Sequence, residues 1–163
     1  MVTTLPRTEG RLFLDAYSAG DLMAPDPISI RAEASAGEAL TLFTEKGIHA
    51  APVIDEAGRP IGVLSRSDLL IHQCEHEKQR TGKPAYFFAP TFEPSGSKVP
   101  QQCTVADLMT PAVFAVSPDT PIQRVVGDMV GLHVHRLFVV DDAGVLVGVI
   151  STMDVLKHLH ADG

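Results

Sequence analysis

The sequence predicts a mixed α/β (α+β) chain built from two copies of one β-α-β-β-α unit. Three observations lead there. The first is an internal repeat: Gly62-Val63-Leu64-Ser65-Arg66-Ser67-Asp68 recurs as Gly148-Val149-Ile150-Ser151-Thr152-Met153-Asp154, an offset of 86 residues (148 minus 62). The same offset carries Asp21-Leu22-Met23 onto Asp107-Leu108-Met109, His49 onto His135, Asp55 onto Asp141, Ala57-Gly58 onto Ala143-Gly144 and His72 onto His158. Self-similarity of this length marks one supersecondary unit made twice. The second observation is a helix-start signal before an apolar stripe in each copy, and the third is an Asp/Gly turn between short apolar runs. A unit of roughly 55 residues is marginal alone, so the two copies are expected to share one core.

The elements follow in order. Residues 1–17 read as a tail ending in a short helix, because Phe13 and Tyr17 stand four apart; the helix docks on the core or forms an arm on a partner chain. Ser18-x-x-Asp21 and Thr104-x-x-Asp107 each place a hydroxyl three residues before an acid, which starts a helix and is worth ~1 kcal/mol. Pro25 and Pro111 end those turns. Ile28-Ser29-Ile30 and Val113-Phe114-Ala115-Val116 read as short strands. Ser35-x-x-Glu38 caps the next helix, with Ala39, Leu40 and Phe43 as its buried stripe. In the second copy Thr120 is the expected cap, Pro121 the first helical residue and Gln123 the box partner, with Val125, Val126 and Met129 buried.

Ala51-Pro52-Val53-Ile54, Asp55-Glu56-Ala57-Gly58 and Ile61-Gly62-Val63-Leu64 form a strand, a turn and a strand, echoed by Leu137 to Ile150. Such apolar runs suit strands covered on both faces. A second helix begins at Ser65 or Ser151. An insert, residues 73–103, separates repeat 18–72 from repeat 104–160. Its first part, Cys74 to Arg80, extends the preceding helix, and Gly82 ends it. Tyr86, Phe87, Phe88 and Phe92 then need cover from the core or from another chain.

The net charge of −7 argues against a general nucleic-acid binder, which would carry a basic face. No apolar run approaches the ~18–20 residues of a membrane span, and the N-terminus has no signal-peptide pattern, so a cytoplasmic protein is expected. The two cysteines, Cys74 and Cys103, are then expected as free thiols. His72 and His76 share a helix face with Cys74 nearby, but no further ligand set accompanies them, and a solvated helix face is the better reading. There is no nucleophile elbow, Walker loop or dinucleotide fingerprint to suggest an enzyme.

The order Asp-Leu-Met-x-Pro, then Pro-Val-Ile-Asp or Phe-Val-Val-Asp, then Gly-Val-[Leu/Ile]-Ser-x-x-Asp, repeated twice, resembles a tandem pair of CBS (cystathionine β-synthase) domains, often called a Bateman module. The insert departs from that pattern, since linkers in such modules are usually shorter. The resemblance implies two repeats packed around a pseudo-two-fold axis, related clefts, pairing into a homodimer, and a regulatory rather than catalytic role. It implies no obligatory cofactor and an adenosine-containing ligand (AMP, ADP, ATP or S-adenosylmethionine) in the cleft between the repeats, with occupancy signalled to an unknown regulated protein.

A ribose presents adjacent hydroxyls that one ionised carboxylate can accept. Asp68 and Asp154, one turn into their helices after Ser65 and Ser151, suit that task, although Ser-x-x-Asp is also an ordinary helix cap. His135-Arg136 looks like the His-Arg pair with which the γ subunit of AMP-activated protein kinase grips phosphate, while His49-Ala50 stands at the same place in the first copy. A division is therefore expected in which Asp68, Ser65 and His49-Ala50 hold adenosine and His135-Arg136 reaches the phosphate. Arg66, Ser67, Thr152, Ile28, Val113 and Phe114 complete the expected nucleotide-binding set, with no catalytic and no metal-binding residues. The competing readings are an S-adenosylmethionine sensor and an interaction module whose clefts bind nothing.

Overall fold

The computed structural model describes residues 11–81 and 103–161. The chain runs β1 (Leu12–Leu14), α1 (Ala19–Leu22), β2 (Ala24–Pro25), β3 (Ile30–Arg31), α2 (Ala36–Lys46), β4 (Ala50–Ile54), β5 (Pro60–Ser65) and α3 (Arg66–Thr81). It continues with α4 (Val105–Leu108), β6 (Ala115–Val116), α5 (Ile122–Gly131), β7 (Arg136–Val140), β8 (Leu146–Ser151), α6 (Thr152–Lys157) and β9 (Leu159–Ala161). The aromatic stretch Tyr86 to Phe92 lies outside the described residues.

Two compact units form, and they do not follow chain order. The first-repeat unit takes Asp26–Val113 together with Ala143–Leu146, and the second-repeat unit takes the described residues up to Pro25, Phe114–Asp142 and those from Val147 on. Each has its own cluster of buried side chains, where a single shared core was expected. Phe43, Val53 and Leu64 centre the first cluster, and Val105 of α4 is buried among them. Val125, Leu137 and Ile150 centre the second, which takes in Ala19 and Leu22 of α1. The initial short helix of each repeat thus completes the core of the other repeat's unit, which is how a short β-α-β-β-α unit reaches a workable core size.

In the first-repeat unit β3 lies parallel to β4 (Ile30 opposite Val53), and β4 is antiparallel to β5 (Ala50 opposite Ser65). Val63 and Thr110 bridge in antiparallel fashion beside β5. The second-repeat unit repeats the plan in the order β2-β8-β7-β6, with Ala24 opposite Val149. The central strands β4 and β7 are covered as expected. In β5 and β8 coverage alternates instead: Gly62 and Leu64, or Gly148 and Ile150, are buried, while their neighbours keep part of their surface.

Five local readings change: the strands expected at Ile28 to Ile30 and Val113 to Val116 are found at Ile30–Arg31 and Ala115–Val116, and three further readings differ. Arg11 to Tyr17 holds a strand, β1, rather than a helix: it pairs antiparallel with β9, Phe13 facing His160 with ring centroids 5.9 Å apart. Thr120 does not cap α5, because its hydroxyl closes the turn from Ser117, accepting the Ser117 amide at 3.1 Å, and Pro121 becomes the cap residue. Leu40, assigned to the buried stripe of α2, is 38% exposed.

The other caps form as read. Asp21, Glu38 and Asp107 accept backbone amides of Ser18, Ser35 and Thr104 at 2.9, 2.7 and 2.9 Å. The Tyr17 amide, at 3.0 Å, and then the Ser18 amide hold the Asp21 carboxyl below its ordinary value, and the Ser35 and Thr104 amides do the same for Glu38 and Asp107. A carboxyl that is more acidic folded than unfolded adds stability above its unfolded pKa, and the gain is lost as pH falls through the folded one. Stability is therefore expected to be level near neutrality and to fall as pH drops through and below the ordinary carboxylate range. Glu38→Gln should soften that acid limb in urea unfolding measured against pH. An equally steep limb in the variant would remove Glu38 from the account.

Candidate functional site

The repeated motif turns each unit from strand to helix. Ser65 ends β5, and both its amide and its hydroxyl donate to Oδ2 of Asp68 at 2.7 Å. The Asp68 amide returns a bond to the Ser65 hydroxyl at 3.3 Å. Ser151 and Asp154 repeat this at 2.8, 2.6 and 3.3 Å. The capping and ligand roles are compatible, because capping engages one carboxylate oxygen. Among the described residues no donor is recorded for the other oxygen of Asp68, whereas Oδ1 of Asp154 stands 3.9 Å from Nζ of Lys157. By the repeat offset the position of Lys157 is Ile71 in the first copy, so this inequality was open to sequence comparison.

The preceding strand brings its histidine to the same turn. The amide of Arg66 donates to the carbonyl of His49 at 2.9 Å, and Ala50 pairs with Ser65. In the second-repeat unit the amide and hydroxyl of Thr152 both donate to the carbonyl of His135, at 3.1 and 3.3 Å. His135 and Arg136 are exposed, and Arg136 opens β7. Each unit therefore joins its strand pair, His49-Ala50 or His135-Arg136, to its own Ser-x-x-Asp turn.

Other members of the expected set sit differently. Ser67 is exposed in the first turn of α3. Ile28 is 43% exposed, two residues before β3, and belongs with Val113 to the first-repeat unit. Phe114, 38% exposed, belongs to the second-repeat unit, where its carbonyl accepts the Phe138 amide at 2.9 Å. Arg66 does not extend toward open solvent. Its Nη2 donates to the Phe43 carbonyl at 2.9 Å, and its side chain lines a groove of about 330 Å³ between α2 and α3 with Ala36, Leu40, Leu69, Leu70 and His72. No sequence pattern pointed to that carbonyl.

Among the described residues no group of three His, Cys, Asp or Glu side chains could hold a metal ion; the side chains of Cys74 and His76 lie outside them. Cys103 is a free thiol whose pKa is pushed up by burial and by the charge of Asp107. No helix among the described residues is long and apolar enough to cross a membrane.

Comparison with known proteins places this geometry. The sequence pattern of one family, described as CBS domain, matches residues 19–74 and again 105–161. Among curated proteins, the 5'-AMP-activated protein kinase subunit gamma-3 of Sus scrofa is 28% identical over 74% of this chain and 21% of its own length. The chain spans between 21% and 62% of the length of the first curated relatives that it matches. Among solved structures, CBSX2 in complex with AMP superposes with a TM-score of 0.64 at 26% identity, over 87% of this chain and 95% of that one. The cytosolic domain of the Mg2+ channel MgtE in complex with ATP does so with a TM-score of 0.64 at 28% identity, over 88% of this chain and 49% of that one.

Proposed function

Because the chain belongs to the CBS domain family and carries two such domains in tandem, we propose that it is a non-catalytic regulatory module. In this reading, with domains at residues 18–72 and 104–160, it binds AMP, ADP or ATP and passes the occupancy to a partner protein. The observation that carries the reading is the carboxylate of Asp68: Oδ2 is fixed by Ser65 while Oδ1 stays available to a ribose, beside the strand residues His49 and Ala50. In the second-repeat unit Arg136 and His135 are exposed beside that unit's own Ser151 turn and offer a cation and a ring N–H donor suited to a phosphate. The complexes of CBSX2 with AMP and of MgtE with ATP support the ligand class.

The test is calorimetric titration of the full chain with AMP, ADP, ATP and S-adenosylmethionine. Saturable binding with Kd of about 1–100 µM is expected for at least one of the three nucleotides. Preference for S-adenosylmethionine would move the reading to a methyl-donor sensor. No heat and no thermal shift with any of the four would leave an interaction module.

The same proposal includes a homodimer. Leu70 and Ile71 on α3 are 59% and 57% exposed, and Val130 and Leu156 in the second-repeat unit are 70% and 54% exposed. Apolar helix faces of this kind favour pairing with a second copy. Sedimentation should show a dimer that Leu70→Glu shifts toward monomer; a monomeric parent protein would remove the homodimer from the proposal.

A further inference from the structure

The two motif turns differ at one position, Arg66 against Thr152, and the structure shows what each side chain does. Thr152 returns to its own strand, adding a hydroxyl bond to the His135 carbonyl that its amide already uses. Arg66 leaves the amide bond to His49 in place and sends its guanidinium elsewhere, to the Phe43 carbonyl in the last turns of α2. That carbonyl also accepts the Ile48 amide at 3.1 Å, and Gly47 (φ 63°) closes α2 just beyond. A cation there meets the negative end of the α2 dipole.

Helical geometry separates Arg66 from the ligand side of the turn. Residues two apart on a helix do not face each other, being about 200° apart around the axis. Leu69, Leu70 and Gln73 share the face of Arg66 and line the same groove, which His72 also lines, whereas Asp68 does not. Asp68 lies on another face, with its carboxylate turned back to Ser65. α3 is further held by Leu69, 7% exposed, whereas α6 has no buried residue.

We infer that Arg66 is a positioning residue and not a phosphate ligand: it latches the first turn of α3 to the end of α2 and so fixes Asp68 for its ligand. This rests on the nucleotide-binding reading above and revises the place of Arg66 in it. The first-repeat unit has the latch, and the second, with Thr152, has the strand tether.

The test uses the full chain with Arg66→Thr, which installs the second repeat's residue, and Arg66→Lys, which keeps a donor. Hydrogen exchange at the Ser65 amide reads the latch without ligand, and the Ser151 amide is its internal control. Titration with adenosine and with AMP separates positioning from phosphate contact. In Arg66→Thr, Ser65 exchange should quicken about tenfold with Ser151 unchanged, and both ligands should weaken by one common factor of about five to ten. Arg66→Lys should recover part of both. Loss of AMP affinity with adenosine binding intact would make Arg66 a phosphate ligand and overturn the inference. Unchanged Ser65 exchange, or faster exchange with unchanged affinities, would overturn it as well. If the parent protein binds neither adenosine nor any of AMP, ADP and ATP, the nucleotide reading itself fails and the positioning role falls with it. A parent that binds adenosine and AMP, with Arg66→Thr failing as described, rejects the positioning role alone.

Discussion

Gly62→Ala is expected to lower stability by about 1–3 kcal/mol, the usual range for forcing a methyl group into a filled interior. A Cβ at Gly62 would stand 2.7 Å from the Thr110 carbonyl oxygen and 2.8 Å from Sδ of Met109. The first obstacle is backbone. Thr110 is fixed by reciprocal bonds with Val63, amide to carbonyl at 2.9 and 2.8 Å, so room for the methyl group means breaking both. Gly148→Ala tests the explanation at the equivalent place. There the nearest atoms are Sδ and Cγ of Met23, at 2.5 and 2.9 Å, which can rotate away and leave the Met23 Cβ, at 3.0 Å, as the remaining tight contact. Urea unfolding should therefore rank Gly62→Ala as the more damaging change. The reverse order would mean that the close backbone approach does not set the need for glycine.

The second large effect concerns binding. Asp68→Ala should weaken the adenosine ligand by about 2–3 kcal/mol, roughly 30- to 150-fold, the scale of hydrogen bonds to a charged group. The alanine variant also removes the cap on Ser65, costing about 1 kcal/mol of stability. Asp68→Asn separates the two effects, because an amide oxygen can still accept from Ser65 while the charge is gone. Asp154→Ala should cost less affinity, since Oδ1 of Asp154 already faces Lys157. Calorimetry on the three variants reads this ranking directly. Full affinity in both Asp68 variants would remove the carboxylate from the binding account.

Much of this was legible in the chain because it is local. The caps at Ser18, Ser35, Thr104 and Ser151 depend on residues three apart, and each forms. The turn glycines Gly58 and Gly144 take positive φ, as an Asp-x-x-Gly turn requires. What escaped the sequence is set by distant partners. β1 has helical spacing but is held by β9, at the other end of the described chain. Leu40 lies beside the groove under α3 and not under the sheet. α1 and α4 carry equivalent apolar residues, so nothing local says which core each will enter. In the candidate site, the pairing of Ser65 with Asp68 could be read from spacing. The reach of Arg66 to the Phe43 carbonyl could not, because it depends on where α2 ends relative to α3.

The crossed placement of α1 and α4 decides how the molecule can be divided. Cutting the chain in the insert produces two fragments, neither of which is a self-sufficient module. The N-terminal fragment lacks Val105, and the C-terminal fragment lacks Ala19 and Leu22, each a buried part of the core left behind. Expressed singly, each fragment would present an unfilled apolar recess and invite aggregation. Expressed together, each carries the plug for the other, so a nick in the insert is compatible with reassembly. Duplication gave this chain two copies of a unit, and the exchange of their first helices made the copies inseparable.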